Sequence, residues 1–322
     1  MNKPRSSAWG WPALALLALA AVPSVATAMG DNFLVSFMAR VLIYAIAASA
    51  LNIALGFGGL VSLGHALFIG IGMYSVSLPV HHGLTSGWLH LALCVAVCVL
   101  VGGLTGAVSL RTKGIAFIMI TLAFAQMGYF VIVSLKQYGG DDGMGIASAS
   151  EFLGLALSTP ASVYYAAWLI LSLLVLWVAQ LKQSPFGMTL RAGRQNPRRV
   201  AAAGLPLNRY LLAAYVLSAV LCGVAGLLLA NLNAYASPSS MSWMTSGELI
   251  VIVVLGGLGT VFGPVVGAIV FLCVEEVLKA YTEHWMAIFG LGILAVAMFG
   301  RGGVLGWWAQ MRRAFARKET AP

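Results

Sequence analysis

The sequence predicts an all-α polytopic membrane protein, on three observations. Hydrophobic residue types make up 61% of the 322 residues, whereas charged types make up only 8%. A soluble domain has about a quarter charged residues, so too few polar side chains remain here to cover a water-facing surface. The apolar residues also form continuous runs, unlike the alternating segments of an outer-membrane barrel. This composition argues against a soluble enzyme, a disordered chain and a nucleic-acid-binding domain.

The apolar runs supply about ten membrane spans, since one span takes about 20 mainly apolar residues. A first group is expected at residues 11–29, 33–55, 60–80, 88–110 and 114–135. A second group is expected at residues 163–181, 210–231, 247–258, 264–281 and 285–300. The whole chain, residues 1–322, is expected to form a single transmembrane domain in two related halves.

The N-terminal segment, residues 1–29, fits two descriptions. Lys3 and Arg5 precede an apolar run, and residues 26–28 (Ala-Thr-Ala) resemble a cleavage site, as in a secretory signal peptide. The apolar stretch nevertheless runs on almost to residue 29, and the next span begins almost at once. A retained first span is therefore favoured over a cleaved segment.

Glycines interrupt one apolar run in each half. Residues 56–59 (GFGG) follow the second run, and residues 256–259 (GGLG) interrupt the eighth. Paired glycine-broken segments in corresponding positions indicate discontinuous helices near a transport path. Close helix packing through glycine explains the same residues equally well, and both descriptions are compatible.

The distribution of basic residues predicts the orientation. With the N-terminus inside and ten crossings, 15 of the 18 Lys and Arg residues fall on the cytoplasmic side, as the positive-inside rule requires. Both termini, including the tail at residues 301–322, are therefore expected to be cytoplasmic. The net charge of +9 is explained by this topology, and no nucleic-acid partner is expected.

The longest basic loop, residues 182–209, is called here the basic segment. Ser-Pro at 184–185 and Asn-Pro at 196–197 each combine an N-cap residue with a favoured first-turn residue. Gly204 then ends a second short helix, expected at residues 197–203. Two short helices would form a compact docking surface, whereas an ordinary positive-inside loop touching lipid headgroups is the alternative.

Five short elements are spread along nearly the whole chain. They are residues 51–53, 59–68 and 70–74; Gly114-Ile115-Ala116-Phe117 with Thr121-Leu122-Ala123-Phe124; Gly139-Gly140-Asp141-Asp142-Gly143-Met144; Ser184-Pro185-Phe186-Gly187 with Leu190-Arg191-Ala192 and Gly204; and Gly256-Gly257-Leu258-Gly259-Thr260 with Gly263-Pro264 and Gly267-Ala268. In order and spacing they resemble the LivM-like permease subunits of branched-chain amino-acid ABC importers.

The resemblance implies a permease subunit of an ATP-driven importer in the bacterial inner membrane. Its partners would be a LivH-like second permease subunit, two cytoplasmic ATPase subunits and a periplasmic solute-binding protein, within a lipid bilayer. The sequence has no GxxxxGK[ST] phosphate-binding loop. ATP and Mg²⁺ are therefore expected on the ATPase subunits, with no cofactor and no enzymatic activity in this chain.

Candidate functional residues follow from the resemblance and from polar positions in the spans. The expected substrate pathway comprises Asn52, Ser62, His65, Thr121, Gln126, Gly256 and Gly257. The expected ATPase-coupling residues are Arg191, Asn196, Pro197 and Gly204, and the expected binding-protein contacts are Asp141 and Asp142. Structural alternatives are a cap of the broken helix for Asn52, a buried structural role for His65, and interhelical bonding for Thr121 and Gln126. No catalytic or metal-binding residue is expected.

Departures from the family pattern concern the docking partner and the solute. The basic segment lacks the acidic residues usual after Arg191-Ala192, so the complementary charges of the partner must differ. Tyr138 replaces a frequent threonine and Gln126 replaces a common acidic residue, and these two differences leave the solute open. A branched-chain amino acid is expected, with urea, short amides or aromatic acids as alternatives. A stand-alone secondary transporter using acidic groups is the alternative of another class. Lys279 one turn from Glu275 predicts a local ion pair there instead.

Overall fold

The structure, a computed structural model, describes residues 19–24, 32–152, 154–282, 284–299, 303 and 306. The predicted first span or signal-like segment, residues 1–29, lies outside the described residues except for 19–24. The predicted tail, residues 301–322, lies outside them except for Gly303 and Gly306.

The described residues are mainly helical. The α-helices are α1 (Asn32–Asn52), α2 (His65–His81), α3 (Gly87–Ser109), α4 (Ile115–Ser134), α5 (Pro160–Gln183), α6 (Pro185–Gln195), α7 (Pro197–Ala202), α8 (Leu207–Asn233), α9 (Trp243–Gly256), α10 (Gly263–Tyr281) and α11 (Trp285–Phe299). A π-helical turn, Ile53–Phe57, extends α1, and 3₁₀ turns occur at Lys136–Tyr138 and Pro238–Met241.

Within the described part of the chain, four two-residue strands form two small antiparallel sheets that the sequence did not predict. They are β1 (Met144–Gly145), β2 (Glu151–Phe152), β3 (Leu155–Ala156) and β4 (Tyr235–Ala236), with β1 paired to β4 and β2 to β3. Strands this short are below the length at which an alternating pattern shows in a sequence.

The helices are those of an all-α membrane protein. Five of the described helices are long and apolar enough to cross a membrane: Phe33–Phe57, which is α1 with its π-helical turn, and α3, α4, α5 and α8. The shorter α9 is also apolar. Ten spans in two related halves with cytoplasmic termini stay predictions.

The core is built around α8, which packs against α1, α2 and α3, while α1 also contacts α5 and α10. Glycine permits the closest of these approaches. A Cβ on Gly226 of α8 would lie 2.9 Å from the Cα of Ile69 in α2. Small residues at such crossings are typical of helix packing in membranes, where close backbone contact replaces the hydrophobic effect.

The bundle has two distinct ends. Helix α5 has 24 residues and so spans about 36 Å. It leads from the loop at residues 136–159 to the basic segment. Helix α8 returns from the basic segment to that loop, where the Ile146 N–H donates to the Ala234 carbonyl at 2.9 Å. These are called here the basic end and the loop end.

Candidate functional site

The two glycine breaks meet at the basic end. The first break, residues 56–64, begins in the last two residues of the π-helical turn, and helix resumes at His65. The second break, residues 257–262, separates α9 from α10. Buried backbone groups that leave a regular helix must find hydrogen-bond partners elsewhere in the protein, so the contacts of these segments determine how they are held.

Asn52 joins the first broken helix to the second break. Its Nδ2 donates to the Thr260 carbonyl at 2.8 Å, and its Oδ1 accepts from the Gly259 N–H at 2.9 Å. The side chain is 1% exposed. Asn52 therefore acts as a cap, but it caps the second break rather than the helix that carries it. Its role in the substrate pathway stays a prediction.

Glycine is required where the two breaks touch. A Cβ on Gly56 would lie 2.7 Å from the Gly259 nitrogen, closer than real Cβ atoms approach. Gly259 has φ +72, and a Cβ there would lie 3.2 Å from the Gly56 carbonyl oxygen. The sequence left open whether these glycines mark discontinuous helices or close helix packing. At both positions the structure shows the two together.

Gly256 and Gly257, two predicted pathway residues, are buried at the end of α9. A Cβ on Gly256 would lie 3.0 Å from the Gly267 nitrogen of α10, so the two helices pack tightly where the chain turns. Gly257 has φ +120, and its carbonyl accepts from the Thr260 hydroxyl at 2.8 Å. The turn is therefore closed by its own residues.

Thr121 holds the first break against α4, and Ser62 bonds within the break. The Thr121 hydroxyl donates to the Ile118 carbonyl at 2.9 Å and accepts from the Leu63 N–H at 3.3 Å. The Ser62 hydroxyl accepts from the Gly64 N–H at 3.1 Å. Both side chains are fully buried. In this conformation the two hydroxyls bond backbone groups, and their place in a substrate pathway stays a prediction.

His65 lies at the start of α2 and is also fully buried. The Ser218 hydroxyl donates its proton to the Ala50 carbonyl at 2.7 Å. It must therefore accept the second hydrogen bond, which the His65 Nε2–H donates at 2.9 Å. His65 thereby connects α2 to α8 and α1. Its Nδ1 is a buried acceptor without a partner among the described residues.

Gln126 lies apart from the other predicted pathway residues. It is half-buried on α4, in a surface groove lined also by Met127, Phe130 and Ser134. A cavity of about 420 Å³ opens between α2, α3 and α4 and shares Met127 with that groove. Its lining is apolar except for groups such as Tyr74 and Thr105. That lining suits hydrocarbon better than the charged groups of an amino acid.

The basic segment folds into the two short helices that the sequence predicted, α6 and α7. The Ser184 hydroxyl accepts from the Gly187 N–H at 3.2 Å, and the Asn196 Oδ1 accepts from the Arg199 N–H at 3.2 Å. Pro197 occupies the first turn of α7. Gly204 follows the helix with φ +76, as expected for a residue after a helix end.

Two arginines of α6 have different partners. Arg191, predicted to couple to the ATPase, turns back and donates from Nη2 to the Lys182 carbonyl at 2.8 Å. It thereby holds α6 against the end of α5. Arg194, which sequence reasoning missed, donates from Nη1 to the Gly56 carbonyl oxygen of the π-helical turn. No local pattern marks this contact, because 138 residues separate the partners.

Asp141 and Asp142 lie exposed at the loop end. The Asp141 Oδ1 accepts from the Tyr129 hydroxyl at 2.9 Å, and the Tyr235 hydroxyl donates to the backbone carbonyl of Asp142. Both contacts fix the loop to the bundle and leave the carboxylates facing outward. Their predicted contact with a binding protein stays a prediction.

The ion pair predicted in α10 is confirmed, with the Lys279 Nζ 2.6 Å from the Glu275 Oε1. Among the described residues there is no group of three or more His, Cys, Asp or Glu that could hold a metal ion.

Known proteins match most of the chain. A family model described as a branched-chain amino acid transport system permease component matches residues 33–298. The high-affinity branched-chain amino acid permease LivM of Escherichia coli (strain K12) is 27% identical over 284 residues, 81% of this chain and 67% of LivM. LivH of the same strain is 23% identical over 285 residues, 82% of this chain and 91% of LivH. The autoinducer 2 import permease LsrC of Klebsiella pneumoniae is 27% identical over 230 residues, 69% of this chain and 64% of LsrC. No solved structure gives a significant match.

Proposed function

Because the chain belongs to the family of branched-chain amino acid transport system permease components, we propose that it is one of two membrane subunits of an ATP-driven importer for branched-chain amino acids. The resemblance to LivM seen in the sequence is confirmed, and the chain is a LivM-like ABC permease. The importer direction, the solute and the partners are parts of the proposal.

The solute is proposed from the relatives. LivM and LivH are named as permeases for branched-chain amino acids, and each aligns with over four-fifths of this chain. LsrC is named for autoinducer 2 and aligns with 69% of it. The broader match favours a branched-chain amino acid. Urea, short amides and aromatic acids remain the alternatives within this family.

The partners are proposed from the same family and from the charge of the basic segment. Besides Arg194, which bonds Gly56 within the chain, that segment contains five Lys and Arg residues and no Asp or Glu. In the inner membrane it would face the cytoplasm and meet acidic groups of two ATPase subunits, which bind ATP and Mg²⁺. A LivH-like permease would complete the membrane core, and a periplasmic binding protein would deliver the solute to the loop end.

Contact between the two glycine breaks and the basic segment is the observation that supports this proposal most. An ABC permease performs no covalent chemistry, and it must open alternately to each side of the membrane. The energy for that change comes from partners that bind its two states with different affinity. Breaks that touch the docking segment lie where binding of an ATPase would alter the path. A secondary transporter has no need of that contact, and Glu275 is paired with Lys279.

Uptake of labelled leucine by the native bacterium tests the function. A deletion strain should lose saturable leucine uptake, and a plasmid copy of the gene should restore it. Excess isoleucine and valine should compete, whereas urea, phenylalanine and autoinducer 2 should not. If the deletion strain takes up leucine normally but loses uptake of urea, phenylalanine or autoinducer 2, the proposed solute is wrong. The proposal of an importer would then still stand.

A further inference from the structure

One side chain of the basic segment reaches both glycine breaks. Arg194 is an exposed residue of α6, and it donates from Nη1 to the carbonyl of Gly56, which is buried. A Cβ on Gly59 would lie 3.0 Å from the Arg194 Cγ, so the stem passes directly over the first break. A Cβ on Gly259 would lie 3.7 Å from its Nη1, so the guanidinium also lies beside the second break.

The acceptor needs this donor. Carbonyls in the last turn of a helix have no partner within the helix and carry its negative dipole end. Gly56 is in that position at the end of the π-helical turn. A guanidinium supplies a charged donor that no residue of the first break itself provides, because residues 56–64 include no Lys or Arg.

Helix α6 is well held, so Arg194 is tied to a rigid element. Ser184 caps the helix, and Arg191 binds it to the last turn of α5. Leu190 is fully buried, and a Cβ on Gly193 would lie 3.0 Å from a methyl carbon of Leu207 in α8. A displacement of α6 therefore moves Arg194 with it.

We propose that Arg194 is a positioning residue that transmits displacement of α6 to both glycine breaks. The inference rests on the proposed function, in which an ATPase docks on the basic segment. The bond to Gly56 carries the displacement into the first break, and Asn52 carries it into the second through Gly259 and Thr260. The side chains of Arg194 and Asn52 thus form a contiguous chain of contacts from α6 to both breaks. In this role Arg194 binds no solute.

The first test uses the complete importer, purified and reconstituted in vesicles, with leucine taken up per ATP hydrolysed as the readout. Arg194→Gln should assemble and hydrolyse ATP at the basal rate, while uptake per ATP falls roughly tenfold, within the usual range of coupling between sites. Arg194→Lys, which keeps the charge and the stem, should recover much of the loss. Arg111→Gln, an equal charge change at an exposed site on another loop, should leave uptake per ATP unchanged.

A covalent replacement of the contact separates transmission from a simple charge effect. A Cβ on Gly59 would lie 3.7 Å from the Arg194 Cβ, within the range of a disulfide. Arg194→Cys alone should lose coupling, and the oxidised Gly59→Cys/Arg194→Cys pair should regain it until a reductant is added. Gly59→Cys alone measures the cost of a side chain at φ +73.

Three results would overturn the inference: wild-type uptake per ATP in Arg194→Gln, an equal loss in Arg111→Gln, or an oxidised pair that stays uncoupled while Gly59→Cys alone is active. If Arg194→Gln fails to assemble, recovery of both assembly and coupling by the disulfide supports the link, and no recovery refutes it. A wild-type complex that takes up no leucine contradicts the proposed solute instead, and coupling is then measured with the solute that it does carry.

Discussion

The two ends of the bundle are fastened in different ways. At the basic end, side chains bond backbone groups that lie far away in the sequence, as Asn52 does across 207 residues to Gly259 and Arg194 across 138 to Gly56. At the loop end, similar long-range bonds all fasten one folded loop to the end of α8. The Asn231 Oδ1 accepts from the Ser150 N–H at 2.8 Å, the Tyr235 hydroxyl donates to the Asp142 carbonyl, and β1 pairs with β4.

The contrast indicates two kinds of task. The loop end attaches one segment to the end of α8, and its exposed carboxylates leave it free to meet another molecule. At the basic end, two interrupted helices and the basic segment share a few side chains, so a change in one segment reaches the others. Loss of one such side chain is expected to affect two breaks at once, whereas loss of a side chain at the loop end should affect one loop only.

The largest effect is expected from Asn52→Ala. The change leaves the Gly259 N–H and the Thr260 carbonyl without their partner. An unsatisfied buried group costs about 1–3 kcal/mol, and these two groups are half-buried. We therefore expect the lower part of that range for each, a loss of about 2–4 kcal/mol in the free energy of unfolding. Thermal unfolding in detergent measures it, and Asn208→Ala, at an exposed position in α8, is the control. Equal melting temperatures for the two variants would show that the link between the breaks contributes nothing.

Gly56→Ala should be next in size. The added Cβ would collide with the Asn52 Oδ1 and meet the Gly259 nitrogen at 2.7 Å, which would force the breaks apart. Overpacking of this kind costs about 1–3 kcal/mol. Gly103→Ala in α3 is the matched control, because a Cβ there would meet nothing within 4 Å. Gly103→Ala should leave the free energy of unfolding unchanged or raise it slightly, whereas Gly56→Ala should lower it, as thermal unfolding in detergent would show. If Gly56→Ala also left it unchanged or raised it, the close contact of the breaks would be contradicted.

Asn196→Ala should have a smaller effect, confined to the basic segment. It removes the N-cap of α7, and such caps contribute about 1 kcal/mol. Hydrogen exchange of the amides in α7 should become faster, while that in α2 should not change. Slower exchange in α7, or unchanged exchange, would show that the cap does not hold this helix.

The smallest effect on stability is expected at the loop end. Replacing Asp141 and Asp142 together by alanine removes one exposed hydrogen bond, so the unfolding free energy should change by roughly 0.5 kcal/mol or less. Uptake at limiting concentrations of binding protein should fall, because the predicted contact is lost. Unchanged uptake under those conditions would show that the two carboxylates do not contact the binding protein.

Sequence reasoning succeeded where the cause is local. Apolar runs predicted the long helices, and Ser-Pro, Asn-Pro and Gly204 predicted α6 and α7, because caps act within four residues. It failed for the partner of Asn52, for Arg194, and for the pairing of β1 with β4. Those contacts join segments that only the fold brings together, and an arginine in a positive-inside loop has the same local pattern whether or not it reaches a helix break.

The position of each partner on the bundle is the most direct test of the proposed importer. Native membranes from cells that express the chain are treated with a lysine-reactive cross-linker, and the cross-linked peptides are identified by mass spectrometry. Lys113 and Lys182 at the basic end should link to an ATPase subunit, and Lys136 at the loop end should link to a periplasmic binding protein. ATPase links at Lys136, or a chain that links to neither partner, would contradict the importer and the assignment of its two ends.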